Sequence, residues 1–318
     1  MLKSLNDSVN FAYADDTAII VADKNIQNAT KLMQQQLDIA AQWCHDNGLV
    51  INANKTKLMH IKPRHLIDTP IVIKFHDTSC LHKRAQNLYS LGNPETCTTN
   101  IELVKTYKYL GVYVDNCFKW KPQINEIRKK LRKASYVLYH LSNCATYSVL
   151  RQAYFSLAES YIRHGISAWG SAKYSKTLQK TQDQILKILW KNHNNSRNTS
   201  TCTNININTR ITNNTNINSI RSFPKELNIL NVNRIYSTSL ASDFFDDSRF
   251  LHPIDHGYNT RRRSQKRFKV ERFYNEYGKS TLPVMLPTII NKLPITILNT
   301  TNVMKRKKLI KQFFISSQ

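Results

Sequence analysis

Apolar and polar positions alternate over Val9, Phe11 and Tyr13, pause at Ala14-Asp15-Asp16-Thr17, and resume as Ala18-Ile19-Ile20-Val21. β-Branched and aromatic runs on either side of a short polar turn predict a β-hairpin. The period then changes: Ile26, Ala29, Met33, Leu37, Ala40 and Cys44 recur at the spacing of one helix face. Asp23 or Asn25 is placed to cap the start of that helix, and Gly48 suits the left-handed position that ends it. "GLVINANKTKLMHI" adds two short apolar runs around an Asn-rich turn, so the stretch up to Pro63 reads as a small α+β layer.

The pattern weakens from Arg64 to Lys108. Ile71-Val72-Ile73-Lys74-Phe75 predicts a strand and Leu88 to Asn100 a loop. "YKYLGVYVD", Tyr107 to Asp115, is a second strand–Gly–strand segment, in which Gly111 suggests a bulge or a close approach to the backbone. Helical periodicity returns at Lys119. Ile124, Ile127, Leu131, Ala134, Leu138 and Leu141 form one apolar stripe, with Arg128, Lys129, Arg132 and Lys133 on the other side. Leu150, Tyr154, Leu157, Tyr161 and His164 mark a second helix, and Leu178 through Trp190 a third, which together predict a small bundle. Residues 192–219, nearly all Asn, Thr and Ser, bury too little apolar surface to order and are expected to be a flexible linker. The remainder is apolar enough to fold in part. It carries two basic clusters, Arg261-Arg262-Arg263 with Lys266, Arg267 and Lys269, and Lys305 to Lys308.

Composition narrows the function classes. A hydrophobic fraction of 41% over 318 residues supports a packed core. Lys+Arg outnumber Asp+Glu by 46 to 21, and a net charge of +25 calls for a polyanionic partner, with nucleic acid the first choice. No run approaches the ~18 apolar residues of a membrane span, and MLKSLNDSVN lacks a signal-peptide core. Six scattered cysteines without a CxxC pair suit a reduced chain. The expectation is an intracellular protein, nuclear or cytoplasmic, neither secreted nor membrane-bound.

The candidate chemistry centres on "FAYADDTAII". Adjacent carboxylates on a hairpin tip repel unless cations neutralise them. Two divalent ions about 4 Å apart, bridged by carboxylates, can activate a hydroxyl and stabilise the leaving oxygen of phosphoryl transfer. Mg²⁺ prefers such oxygen ligands. Taken alone, the tetrad reads first as a polar hairpin turn.

It is accompanied, in order, by "NGLVINANKTKLMHI" and "YKYLGVYVDNCFKWKPQINEIRKK", and together these resemble the reverse transcriptase of a non-LTR (LINE-type, jockey-like) retrotransposon. "LRQAYFSLAESYIRHGISAWG" is similar to the segment after the thumb start in that family. "YGKSTLPVMLPTIINKLP" resembles its C-terminal region, with Ile290 where Trp is common. The resemblance implies an α+β fold: a partial right-hand polymerase palm over 1–62, a connection and primer-grip hairpin over 63–118, and a helical thumb over 119–191. The linker over 192–219 and a basic C-terminal region over 220–318 would follow. It implies Asp15 and Asp16 as catalytic metal ligands for Mg²⁺ or Mn²⁺, Lys55 as the acid that protonates pyrophosphate, and Tyr13 near the primer end. Tyr109, Leu110 and Gly111 would grip the primer. Arg128, Lys129, Arg132 and Lys133 would face the RNA template and DNA primer.

The same resemblance exposes a gap. Palm polymerases carry a further Asp on a strand many tens of residues before the Asp-Asp hairpin, and only a short segment precedes Tyr13. The expectation is therefore a C-terminal half, which would use deoxynucleotides only if the missing half were supplied, and no polymerase activity from this chain alone. A non-catalytic nucleic-acid-binding remnant is the alternative, and a packing protein with a structural hairpin the third reading. Other constellations are weaker. His76, Cys80, His82 and Cys97 have no recognised zinc spacing, and Cys44-His45-Asp46 are consecutive and cannot face one another. Lys305 to Lys308 read as a solvated tail or a nuclear-targeting run.

Overall fold

In a computed structural model, residues 8–62, 70–76, 98–198, 226–254 and 267–317 are described. The fold is mixed α+β with open two-stranded sheets, and the chain divides into two compact units, Met1–Phe118 and Lys119–Gln318.

In the first unit, β1 (Val9–Tyr13) and β2 (Asp16–Ile20) pair antiparallel from Val9↔Ile20 to Tyr13↔Asp16. The expected hairpin is present with a tighter turn. Ala14 and Asp15 alone form the loop, and Asp16 and Thr17 already belong to β2. Helix α1 (Ile26–Asp46) starts at Asn25, whose side chain accepts from the Gln27 N–H at 2.9 Å, while Asp23 accepts from the Asn25 N–H. It ends as the sequence predicts. Gly48 adopts φ +68°, its N–H donates to the His45 carbonyl at 3.0 Å, and the Leu49 N–H donates to the Cys44 carbonyl at 2.8 Å. This pair of bonds is the Schellman closure.

That closure explains one departure from expectation. The Leu49 N–H is consumed by the cap, and the first apolar run of "GLVINANKTKLMHI" forms no strand; Leu49 and Val50 stay exposed. Only β3 (Lys57–Leu58) is extended, and it pairs parallel with β6 (Glu102–Leu103). Between them in sequence, β4 (Lys74–His76) pairs antiparallel with β5 (Thr98–Asn100). The strand expected from Ile71 thus begins at Lys74, and the end of the expected 88–100 loop is a strand. The core gathers Leu37 and Ala41 of α1 with Ile73 and Phe75, and Met33, Ile51, Leu58 and Ile101 pack around them. The last ribbon is β7 (Thr106–Tyr109) with β8 (Val112–Asp115).

The second unit is helical. Helix α2 (Lys121–Leu141) buries Ile124, Ile127, Leu131, Ala134 and Leu138, the stripe its sequence predicts. Next comes α3 (Tyr147–Tyr154), a π-helical turn (Phe155–Glu159) and α4 (Ser160–Arg163). The expected stripe is displaced in this run. Leu150 and Tyr154 are buried as predicted, but Ala158, Ile162 and Ile166 continue the inner face, and Leu157 and Tyr161 are exposed. The π-turn bonds i to i+5 and so carries an extra residue, which moves the inward position on by one.

Helix α5 (Ile166–Trp169) leads to α6 (Lys176–Asn198), which runs on into the stretch expected as linker. Then follow α7 (Val232–Asp243), α8 (Glu276–Lys279), α9 (Leu282–Ile290), α10 (Ile295–Leu298) and α11 (Val303–Ser316). Leu178, Ile185, Ile235, Leu240, Leu286, Ile290 and Phe314 share one core with Trp169 and Tyr154. Each such side chain contributes about 1.5–3 kcal/mol by leaving water. Gln182 fastens three segments, donating to the Tyr154 hydroxyl at 2.8 Å and the Leu230 carbonyl at 2.9 Å. Asn231 and Asn302 cap α7 and α11.

The basic run at Lys305 is helical rather than a free tail. Arg306 is buried, pairs with Asp246, and lies 4.0 Å from the Phe245 ring centroid. Cys80, His82, Cys97, the Arg261–Arg263 triplet, Lys266 and residues 199–219 of the expected linker lie outside the described residues.

Gly170, at the end of α5, sits against Tyr236. A Cβ there would stand 2.3 Å from the ring and 2.7 Å from the Ile166 carbonyl. Tyr236 is buried, which pushes its phenol up to about 12 against the lowering effect of a hydrogen bond with Ser171. Gly170→Ala is expected to cost about 1–3 kcal/mol through overpacking. A urea titration of the variant checks it, and an unchanged midpoint would show that the ring yields freely.

Candidate functional site

The hairpin tip is built from two residues. Ala14, the first, has φ +53°, the backbone that two-residue hairpin loops require and that glycine adopts most cheaply. Asp15 completes the loop and Asp16 opens β2 opposite Tyr13. Directly paired residues share a face, so Asp16 lies with Tyr13, Phe11, Ala18, Val9 and Ile20. This face is bare: Tyr13 is 68%, Val9 59%, Phe11 54% and Ile20 44% exposed. The opposite face is anchored through Ser8, whose hydroxyl donates to the buried Gln36 side chain of α1 at 2.9 Å. Both carboxylates are thus held in solvent at the end of an anchored ribbon.

Lys55 lies in a turn organised by Asn52. Its N–H meets both the Asn52 backbone and side-chain oxygens at 3.1 Å, and its own side chain is exposed. The Lys55 carbonyl accepts from the Tyr107 hydroxyl of β7 at 3.4 Å. The structure therefore joins the lysine turn to the ribbon that carries Tyr109, Leu110 and Gly111. Leu110 and Gly111 form a two-residue hairpin turn after Tyr109, not a bulge. Leu110 has φ +46° and Gly111 φ +82°, and Tyr109 pairs with Val112. Two successive positive φ values are the type I′ geometry that matches strand twist.

On α2, Lys129, Arg132 and Lys133 are exposed, whereas Arg128 is half-buried and donates to Asn125 at 3.2 Å. The exposed face extends further than its basic residues. Tyr136 is 67% exposed, with its ring centroid 4.4 Å from that of His140 in an edge arrangement. Lys129, Arg132, Tyr136 and His140 follow one another at helical spacing, so the stripe combines cations with aromatic faces. Sequence reading found the cations and missed the aromatics, although the three- and four-residue steps were visible.

Among the described residues, no group of three or more His, Cys, Asp or Glu side chains is placed to hold a metal ion. Asp15 and Asp16 by themselves offer exposed, hard oxygen donors of the kind Mg²⁺ takes while keeping several waters. No helix among the described residues is long and apolar enough to cross a membrane.

The hairpin tip thus presents two adjacent, exposed carboxylates. In a comparison with known families, a model described as reverse transcriptase (RNA-dependent DNA polymerase) matches residues 1–114, which form a domain of that family. No curated protein and no solved structure matches the chain.

Leu110 gives a local test. A branched side chain at positive φ costs roughly 1–2 kcal/mol, and glycine returns part of that as unfolded-chain entropy. Leu110→Gly is expected to stabilise the β7–β8 ribbon by about 0.5–1 kcal/mol. Amide hydrogen exchange at Tyr109 and Val112 should slow several-fold, while Leu110→Val should speed it.

Proposed function

We propose that this chain belongs to the reverse transcriptase of a mobile element, an enzyme of two-metal nucleotidyl transfer on an RNA template and DNA primer. The observation that carries the reading is the placement of Asp15 and Asp16 at a two-residue hairpin tip, within residues matched to the reverse-transcriptase family. The non-LTR, LINE-type lineage rests on the ordered motifs "FAYADDTAII", "NGLVINANKTKLMHI" and "YKYLGVYVDNCFKWKPQ".

In this reading Asp15 and Asp16 hold the divalent ions, which would activate the primer hydroxyl and neutralise the leaving phosphates. Tyr13, beside Asp16 on the bare face, borders the primer end. Lys55 donates a proton to pyrophosphate. The Tyr109-Leu110-Gly111 turn, linked to the Lys55 turn through Tyr107, grips the primer backbone. Lys129, Arg132 and Lys133, with Arg128 at the margin, meet duplex phosphates.

Two carboxylates at the tip are fewer than a bridged two-metal centre uses, and we expect residues 1–318 alone not to extend a primer. Incubation with Mg²⁺, deoxynucleotides and an oligonucleotide-primed RNA template tests this. Extension that Asp15→Asn abolishes would overturn the expectation and establish an active enzyme.

The exposed cations of α2 favour nucleic-acid binding even without catalysis. The logarithm of the affinity for an RNA–DNA duplex should fall linearly with log salt. Lys129→Ala and Arg132→Ala should each reduce the slope by about 1. A salt-independent affinity, or slopes unmoved by either substitution, would leave the α2 face without a role in binding.

A further inference from the structure

The outward face of α2 changes character along its length. Lys129, Arg132 and Lys133 are exposed in its middle, and Tyr136, Tyr139 and His140 are exposed in its last turns. At 3.6 residues per turn these side chains fall within about 120° of one another, on a strip about 16 Å long. The opposite side, with Ile124, Ile127, Leu131, Ala134 and Leu138, is buried and holds the helix in the unit. The outward strip is therefore not needed for packing. The one acid of α2, Glu126, is half-buried, so no exposed carboxylate on the helix interrupts the strip.

The two tyrosine rings are open. Tyr136 is 67% and Tyr139 48% exposed, and Val137 between them adds apolar surface. Each ring meets His140 in an edge arrangement, with centroids 4.4 and 5.6 Å apart and interplanar angles of 65° and 81°. A single edge contact cannot cover both faces of a ring. Among the described residues no Lys or Arg lies over either ring, whereas Tyr161 nearby in the chain carries the Lys130 ammonium at 4.9 Å. Large aromatic rings left in water beside cations mark a contact surface.

The mixture selects the partner. Protein interfaces are depleted in lysine, and here lysines border the rings. A continuous duplex offers phosphates to the cations, but its base faces are stacked on one another and give the tyrosines nothing to lie on. An unpaired strand offers both phosphates and free base faces. We propose that the α2 face binds nucleic acid where a duplex gives way to a single strand. Lys129, Arg132 and Lys133 meet the phosphates, and unpaired bases stack on Tyr136 and Tyr139. This rests on the reading of α2 as a nucleic-acid face and adds that its C-terminal half takes unpaired bases.

Fluorescence anisotropy with the full chain tests it on three labelled probes: a blunt RNA–DNA duplex, the same duplex with a short single-stranded adenine tail at each end, and the same with abasic tails. Abasic tails keep the phosphates and lack the bases. Adenine tails should bind about tenfold more tightly than abasic tails. Tyr136→Leu and Tyr139→Leu, which keep an apolar side chain and remove the ring, should each reduce that ratio several-fold, and Tyr136→Trp should preserve it. The ratio is taken within one variant, so any general loss of folded protein cancels. Equal affinity for adenine and abasic tails, beside salt-dependent binding of the blunt duplex, would overturn this proposal and spare the α2 reading. Absence of binding to all three probes would overturn both. A ratio that persists in Tyr136→Leu and Tyr139→Leu would place the stacking elsewhere and overturn the proposal as well.

Discussion

Two glutamines on helix α1 hold the strands of the first unit. Gln36, buried, accepts the Ser8 hydroxyl and so fixes the base of the β1–β2 ribbon. Gln34 clamps the backbone of Lys74 from both sides, accepting its N–H at 2.9 Å and donating to its carbonyl at 2.8 Å. A side-chain amide thus substitutes for a neighbouring strand. The apolar core beneath is small, with Leu37, Ala41, Ile73 and Phe75 at its centre, and two-stranded ribbons are marginal in water without such support. The acid-bearing tip consequently inherits its position from α1, and α1 inherits its length from the Asn25 cap and the Gly48 closure.

Much of this was legible in the sequence because the signals were local. The hairpin at Asp15, the α1 stripe, the Gly48 stop and the α2 stripe each depend on residues within one or two turns of one another. What the sequence concealed depends on partners far along the chain. Leu49 and Val50 look extended by composition, but the helix cap claims the Leu49 N–H before a strand can form. Lys74 pairs with Asn100 and Leu58 with Leu103, and no local pattern announces those registers. The displaced stripe after Tyr154 follows from one extra residue in a helical turn, which a fixed period cannot represent.

The candidate site divides in the same manner. The hairpin that carries Asp15 and Asp16 was readable because tight turns have short sequence signatures, whereas Gly111, which suggested a bulge, is the second residue of a two-residue turn. The bond from Tyr107 to the Lys55 carbonyl, which ties two of the motifs together, was not readable. Nor was the partial burial of Arg128 beside three exposed cations. Arg306 makes the opposite point: a basic run that reads as a solvated tail contributes one of its members to the interior, against Phe245 and Asp246.

The turn Phe155–Glu159 has an evolutionary consequence. An α-helix gains a π-turn by accepting one inserted residue without unwinding, so the stretch tolerates a length change that an ordinary helix interior would reject. Deleting a single residue there would restore regular winding and rotate Glu159 and everything before the next loop by about a quarter turn, since α-helical positions are spaced at 3.6 per turn. The buried carboxylate and its Arg163 partner would then move together, because both lie on the same continuous helical run. A one-codon change at this place would therefore change which side chains of the run, Ile162 among them, face the core of the unit.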